Sequence, residues 1–140
     1  MFAADLGDRP VVALGPMCDD SGVALTVLVV DDHPAFRASA RRLLELDGIS
    51  VVGEAATGEE GLLMARELDP DLVLLDVGLP DVSGFEVAER LEDKRAGVVL
   101  VSSRSQGDLG PRVRKSGALG FISKERLSGD AILALVRRAA

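Results

Sequence analysis

Val27-Leu28-Val29-Val30-Asp31-Asp32 is a run of four apolar residues that stops on two carboxylates, and three later segments repeat the pattern. Leu72-Val73-Leu74-Leu75 stops on Asp76, Val98-Val99-Leu100-Val101 on Ser102, and the weaker Ala118-Leu119-Gly120-Phe121-Ile122 leads to Lys124. Short continuous apolar runs separated by helical patterns read as parallel strands buried on both faces. In an open parallel sheet the loops at the carboxyl ends of the strands open a crevice, and ligands collect there. The sequence therefore predicts three acids, one hydroxyl and one amine along one sheet edge.

Helix signals fill the intervals. Pro34 suits a first helical turn, where its missing N–H costs nothing. Phe36, Ala40, Leu43 and Leu44 follow at helical spacing, and Gly48 is placed to stop that helix. Ile49 to Glu54 reads as a second, less apolar strand suited to a sheet edge. Thr57 with Glu60, and Ser83 with Glu86, have the spacing of capping boxes. The helices behind them carry Leu62, Leu63 and Leu68, ended by Asp69-Pro70, and then Phe85, Val87, Ala88 and Leu91. A fourth helix over Ser105 to Ser116 is weakened by Gly107, Gly110 and Pro111. Ser128 caps a fifth, with Ile132, Leu135, Val136 and Ala139 on one face. Five strands alternating with five helices predict an α/β, flavodoxin-like (βα)5 three-layer sandwich. Right-handed crossovers and a single switch point give the parallel order 2-1-3-4-5. Strands one and three are then neighbours, which sets Asp31, Asp32 and Asp76 side by side.

Bulk properties narrow the function. With 140 residues, 47% of them hydrophobic, the chain fits one domain with a real core. A formal net charge of -7 disfavours direct nucleic-acid binding, and four Phe with no Trp or Tyr leave few surfaces for base stacking. Cys18 stands alone, so no internal disulfide forms and thiolate zinc sites are excluded. Residues 1–24 mix Gly, Pro and acids without a period and read as a disordered N-terminal extension, leaving 25–140 as the folded domain. Asp5 and Asp8 stand where a secretion signal would be basic. No apolar run approaches the roughly 20 residues that span a bilayer. A soluble, cytoplasmic protein is expected.

Three carboxylates in one crevice repel one another unless a counter-ion joins them. An all-oxygen donor set favours Mg²⁺ or Mn²⁺ over zinc or copper. Mg²⁺ keeps open positions for phosphate oxygens, so the crevice suits a transferring phosphoryl group. Asp76, placed centrally, can attack phosphorus as a carboxylate nucleophile and become an aspartyl phosphate. The Lys124 ammonium can neutralise one equatorial oxygen, and the Ser102 hydroxyl can donate to another.

These residues resemble a known family. Val27 to Pro34 looks like the opening of a receiver domain of a two-component response regulator. Leu72-Val73-Leu74-Leu75-Asp76-Val77-Gly78-Leu79-Pro80-Asp81-Val82-Ser83-Gly84 is similar to that family's phosphoacceptor segment. Leu100 to Ser102 and Gly120-Phe121-Ile122-Ser123-Lys124 supply its other two positions in order. Within the family the chain is most similar to receivers of the LuxR/FixJ type, which carry a helix-turn-helix output domain.

The resemblance implies phosphorylation of Asp76 by a sensor histidine kinase. It implies Mg²⁺ held by the side chains of Asp32 and Asp76 and the Gly78 carbonyl, with Asp31 acting through water. It assigns Ser102 as the switch hydroxyl and Phe121 as the switch aromatic. Their movement would remodel the surface of the fourth helix, fifth strand and fifth helix, where an output domain or downstream protein binds. A phosphorylation-dependent homodimer is compatible with it. Such a domain catalyses its own phosphorylation and dephosphorylation but is not a turnover enzyme.

Three positions depart from the pattern. Glu125 follows Lys124 where the family usually has Pro, so a cis bond there cannot be assumed. Gly78 has no side chain to orient or block water, and Arg104 can screen or touch the phosphate; both are candidates for setting the phosphate's lifetime. His33, the single histidine, reads as a helix-start residue, and Arg112, Arg114 and Lys115 read first as a solvated basic face. Two alternatives remain. With Ala140 directly after the fifth helix, the sequence also suits an N-terminal fragment of a DNA-binding transcription regulator. A small Mg²⁺-dependent phosphohydrolase is less well served, since Gly78 stands where a second catalytic acid is needed.

Overall fold

The computed structural model describes residues 25–91, 96–103 and 110–139. The 1–24 extension, with Cys18, and the segment bearing Arg104 lie outside the described residues. Strands β1 (Thr26–Val30), β2 (Ser50–Ala55), β3 (Leu72–Asp76), β4 (Gly97–Ser102) and β5 (Gly120–Ser123) form one parallel sheet in the order β2-β1-β3-β4-β5. Between and after them run α1 (Pro34–Leu46), α2 (Gly58–Leu68), α3 (Gly84–Arg90), α4 (Gly110–Lys115) and α5 (Gly129–Ala139). The predicted architecture and strand order are those observed.

Side-chain alternation builds the three layers. Leu28, Val30, Val73, Leu75 and Leu100 point to one face and pack under α2, α3 and α4 through Leu62, Phe85, Leu91 and Val113. Val27, Val29, Leu72, Leu74, Val99 and Val101 point to the other, where α1 and α5 bring Ala40, Leu44, Ile132 and Leu135. Both faces are covered, so the central strands need no polar residues until their ends. Each fully buried Leu or Val contributes roughly 1.5–3 kcal/mol of transfer free energy. The apolar helix positions divide. Ala40, Leu44 and Leu62 are buried, but Leu43, Leu63 and Leu68 are exposed at the borders of their stripes, where a heptad-like count alone cannot place them.

Helix ends follow the sequence with one correction. Gly48, at φ 85°, closes α1: its N–H donates to the Glu45 carbonyl and that of Ile49 to the Leu44 carbonyl. Thr57 Oγ1 accepts from Glu60 N–H at 3.1 Å, and Glu60 Oε1 reaches back to Ala56 N–H. Ser83 caps α3 through Phe85 N–H at 3.1 Å, but no box forms there. Glu86 turns along the helix to Arg90, at 2.8 Å, because a charged i,i+4 partner is within reach. The fifth strand stops at Ser123, so Lys124 opens a short 3-10 turn (Lys124–Arg126) rather than ending a strand.

The chain leaves β1 toward β2 on one side and returns past it to β3 on the other. The switch point therefore falls between β1 and β3, where the crevice opens. Gly84 keeps it compact. A Cβ at that residue would run into the Asp76 carbonyl oxygen and lie 2.8 Å from Val77 Cα. Only glycine lets the start of α3 sit this close to the end of β3.

Candidate functional site

β1 and β3 deliver their acids to one place. Ligating atoms of Asp31, Asp32, His33 and Asp76 all lie within 4.8 Å of one another. Asp31 is fully buried, Asp76 nearly so, and Asp32 is about one-third exposed. Asp31 Oδ1 accepts from the His33 N–H at 2.8 Å, which folds the strand end into the start of α1. Its other oxygen faces Lys124 Nζ at 2.6 Å, and the same ammonium lies 3.6 Å from Asp76 Oδ2. Lys124 thus bridges the two buried acids, with Phe36 beneath it, 4.5 Å from the ring centroid.

Asp76 carries the electrostatic strain. Burial, then the neighbouring Asp31 charge, push its carboxyl above the ordinary range; Lys124 and the Gly78 N–H, which donates at 3.3 Å, oppose the shift. A divalent ion would remove this conflict. One buried oxygen, Asp32 Oδ1, receives no hydrogen bond, with the His33 ring beside it at 3.2 Å, whereas Asp31 Oδ2 is met by the Lys124 ammonium. Buried acceptors without donors are costly unless a cation joins them. The donor set is dominated by carboxylates, so these residues fit a hard divalent ion.

The cleft over Asp76 measures about 330 Å³ and is lined by Gly78, Ser83, Ser102, Arg112, Lys124 and His33 among others. Ser102 reaches it from the buried end of β4, paired in register with Ser123. Gly78 is open, with nothing within 4 Å of where a Cβ would be. The structure brings together Asp31, Asp32, Asp76, Gly78, Ser102 and Lys124. Phe121 does not line this cleft. It lies in the β4–α4 side of the core with Leu100 and Val113, at the head of a second groove bordered by Arg114 and Arg138. The bond between Lys124 and Glu125 is trans.

Sequence reasoning passed over two lining residues. His33 does start a helix, but its ring joins the acids; its place beside Asp31-Asp32 was the available sign. Arg112 is exposed, as a solvated basic face requires, and it also borders the cleft, which the weak helix signal around it gives no way to foresee. A third residue, Asp81, caps α2 from the β3–α3 loop, its carboxylate accepting from Gly58 and Glu59 N–H at 2.8 and 3.0 Å. Those bonds hold its carboxyl below the ordinary range. No local pattern announces a partner 23 residues away.

Residues 27–137 match the response regulator receiver domain. The chain belongs to that family. It is 37% identical over 119 residues to the nitrate/nitrite response regulator protein NarL of Escherichia coli, covering 82% of this chain and 55% of that protein. The receiver thus spans about half the length of the curated relatives it matches. Among solved structures it resembles the signal receiver domain of a NarL response regulator from Mycobacterium tuberculosis, with TM-score 0.75 and 31% identity over 82% of this chain and 95% of that one. It also resembles a CheX-CheY-BeF3-Mg²⁺ complex from Borrelia burgdorferi, with TM-score 0.75 and 26% identity, covering 88% and 95% of the two chains. The chain is therefore a phosphoacceptor receiver of the two-component type, similar to receivers of LuxR-family regulators. Receivers of this family are generally not turnover enzymes. Among the described residues, no helix is long and apolar enough to cross a membrane.

Proposed function

We propose that Asp76 is the residue that accepts phosphorus, from the phosphohistidine of a sensor histidine kinase. The supporting observation is its position beside the two acids that follow β1 and within 3.6 Å of the Lys124 ammonium, lining a cleft of about 330 Å³. In the transfer, an Asp76 carboxylate oxygen bonds phosphorus as the phosphorus–nitrogen bond breaks. The electron pair leaves with the imidazole nitrogen, which takes up a proton.

Asp32, Asp76 and the Gly78 carbonyl would hold Mg²⁺ directly, with Asp31 joined through water because Lys124 already occupies it. Bound there, the ion would offset charge on the phosphoryl oxygens. Lys124 neutralises a further oxygen, and Ser102 donates to a third once the group is in place. Phe121, packed beside α4, follows the Ser102 movement and alters the face of α4, β5 and α5. That face receives the output domain, a separate protein or a second phosphorylated copy. The protein works in the cytoplasm, where kinase and Mg²⁺ are available.

Incubation with acetyl phosphate and Mg²⁺, read by intact mass, tests the assignment. One phosphoryl group should be gained, then lost slowly, and Asp76→Asn should gain none. Continuous release of phosphate without a labelled protein would favour a phosphohydrolase instead. Arg104 and Gly78 are assigned to the lifetime of the label. Arg104→Ala should change the decay rate severalfold; an unchanged rate removes that role from Arg104.

A further inference from the structure

Among the described residues, Arg112 is a cation with an aromatic seat and no carboxylate partner. Its guanidinium lies over the Phe85 ring, 4.2 Å from the centroid. Among the described residues no carboxylate pairs with it within 4.0 Å. The same side chain borders the cleft that holds Asp76, Ser102 and Lys124. The chain has four Phe, and two of them carry cations on this one cleft: Phe36 under Lys124, Phe85 under Arg112. Phe85 directly follows Gly84, whose backbone is packed on the Asp76 carbonyl, so the ring beneath Arg112 and the acceptor carboxylate share one anchor.

Charge gives the seat a purpose. Once Asp76 is phosphorylated, Asp31, Asp32 and a phosphoryl group carrying nearly two negative charges would face one divalent ion and one ammonium. Negative charge remains uncompensated. A guanidinium matches two phosphoryl oxygens with parallel N–H donors, a geometry an ammonium cannot offer. Its hold on an aromatic face at a wet cleft is weak by comparison. Arg112 also sits on α4, whose described residues (Gly110–Lys115) bury one side chain, Val113.

We propose that Arg112 is a second phosphoryl ligand held in reserve: it leaves Phe85 for the oxygens on phosphorylated Asp76 and draws α4 toward the cleft. This rests on the reading of Asp76 as phosphoacceptor. It gives phosphorylation a direct line to α4, separate from the Ser102 and Phe121 pair. Arg112 is then no mere part of a solvated basic face, unlike Arg114 and Lys115, which do not border this cleft.

The test uses the whole chain with Mg²⁺ and beryllofluoride as the phosphoryl mimic, followed by NMR of the arginine Nε–H groups. The Arg112 signal, assigned by its loss in Arg112→Lys, should start shielded by the Phe85 ring. On addition of the mimic it should move to an ordinary position and become protected from exchange with water. Affinity for the mimic should weaken about tenfold in Arg112→Ala and less in Arg112→Lys, which keeps the charge. The NMR shift is read on wild type, so it does not depend on how the variants fold. If wild type binds the mimic, Asp76→Asn does not, and the Arg112 signal stays put with affinity unchanged in Arg112→Ala, the proposal falls and the phosphoacceptor reading stands. If wild type takes up no beryllofluoride, both fall.

Discussion

Asp76 is asked to be two things, a folded-state residue and a nucleophile, and these conflict. Buried beside Asp31, its ionised form is penalised, and its carboxyl sits above the ordinary range. A group whose folded value is raised detracts from stability above the unfolded value and ceases to do so as pH falls below it. Asp76→Asn should therefore stabilise the metal-free protein at neutral pH, by roughly 1 kcal/mol in urea unfolding. The gain should close as pH drops through the ordinary carboxylate range, where wild type is neutral as well. An Asn variant no more stable than wild type in chelator at pH 7 would mean that Lys124 already cancels the repulsion. The site's acids were legible because each one ends an apolar strand, and a strand end in a parallel sheet can only be at the crevice or opposite it. His33 and Arg112 were not, since nothing in a side chain's neighbours along the chain says which way it leans.

At the scale of elements, close approaches and charged clasps locate the site. Gly84→Ala should cost roughly 1–3 kcal/mol by overpacking, because α3 must back away from the β3 end. It should also slow labelling of Asp76, since the backbone that must move is that residue's own carbonyl. A drop in stability with labelling unchanged would separate the two. At the sheet edge, Glu54 of β2 receives Arg37 Nε at 3.1 Å and Arg41 Nε at 2.8 Å from α1. The hydrogen bond from Arg41, ahead of that from Arg37, holds the Glu54 carboxyl below its usual value. A lowered carboxylate supplies stability above its unfolded value and loses it as pH falls through the lower folded one. Glu54→Gln should thus cost up to about 1 kcal/mol at pH 7. The difference from wild type should shrink below roughly pH 4 and also in high salt. A cost that persists at pH 3 would assign it to packing rather than charge. These clasps escaped the sequence because Arg41, Glu45 and Glu54 are all plausible surface charges until the strand and helix are laid side by side. Leu43, Leu63 and Leu68 lie on the helices their spacing predicts, yet they are exposed, which helical spacing does not specify.

For the molecule as a whole, the fold was readable because its logic is redundant. Strands buried on both faces need only apolar runs, and the order β2-β1-β3-β4-β5 follows from handedness once there are five. What such a sheet does with the free energy of its site is less evident. The crevice is assembled from β1, β3, β4 and the turn after β5, so every ligand bound there reports on the integrity of the whole sheet. A divalent ion that binds only the folded chain must raise global stability by about 2.7 kcal/mol at a hundredfold excess over its dissociation constant. For a domain of this size that is a rise of about 10 °C in Tm. Asp32→Ala removes the carboxylate whose buried oxygen lacks a hydrogen bond, and should abolish the Mg²⁺-dependent rise while leaving the metal-free Tm nearly unchanged. Glu54→Gln, across the sheet edge and off the cleft, should lower Tm with and without Mg²⁺ by the same amount. If the Mg²⁺ increment survives in Asp32→Ala but is lost in Glu54→Gln, the ion sits on the α1–β2 surface charges and the acidic crevice is not its site.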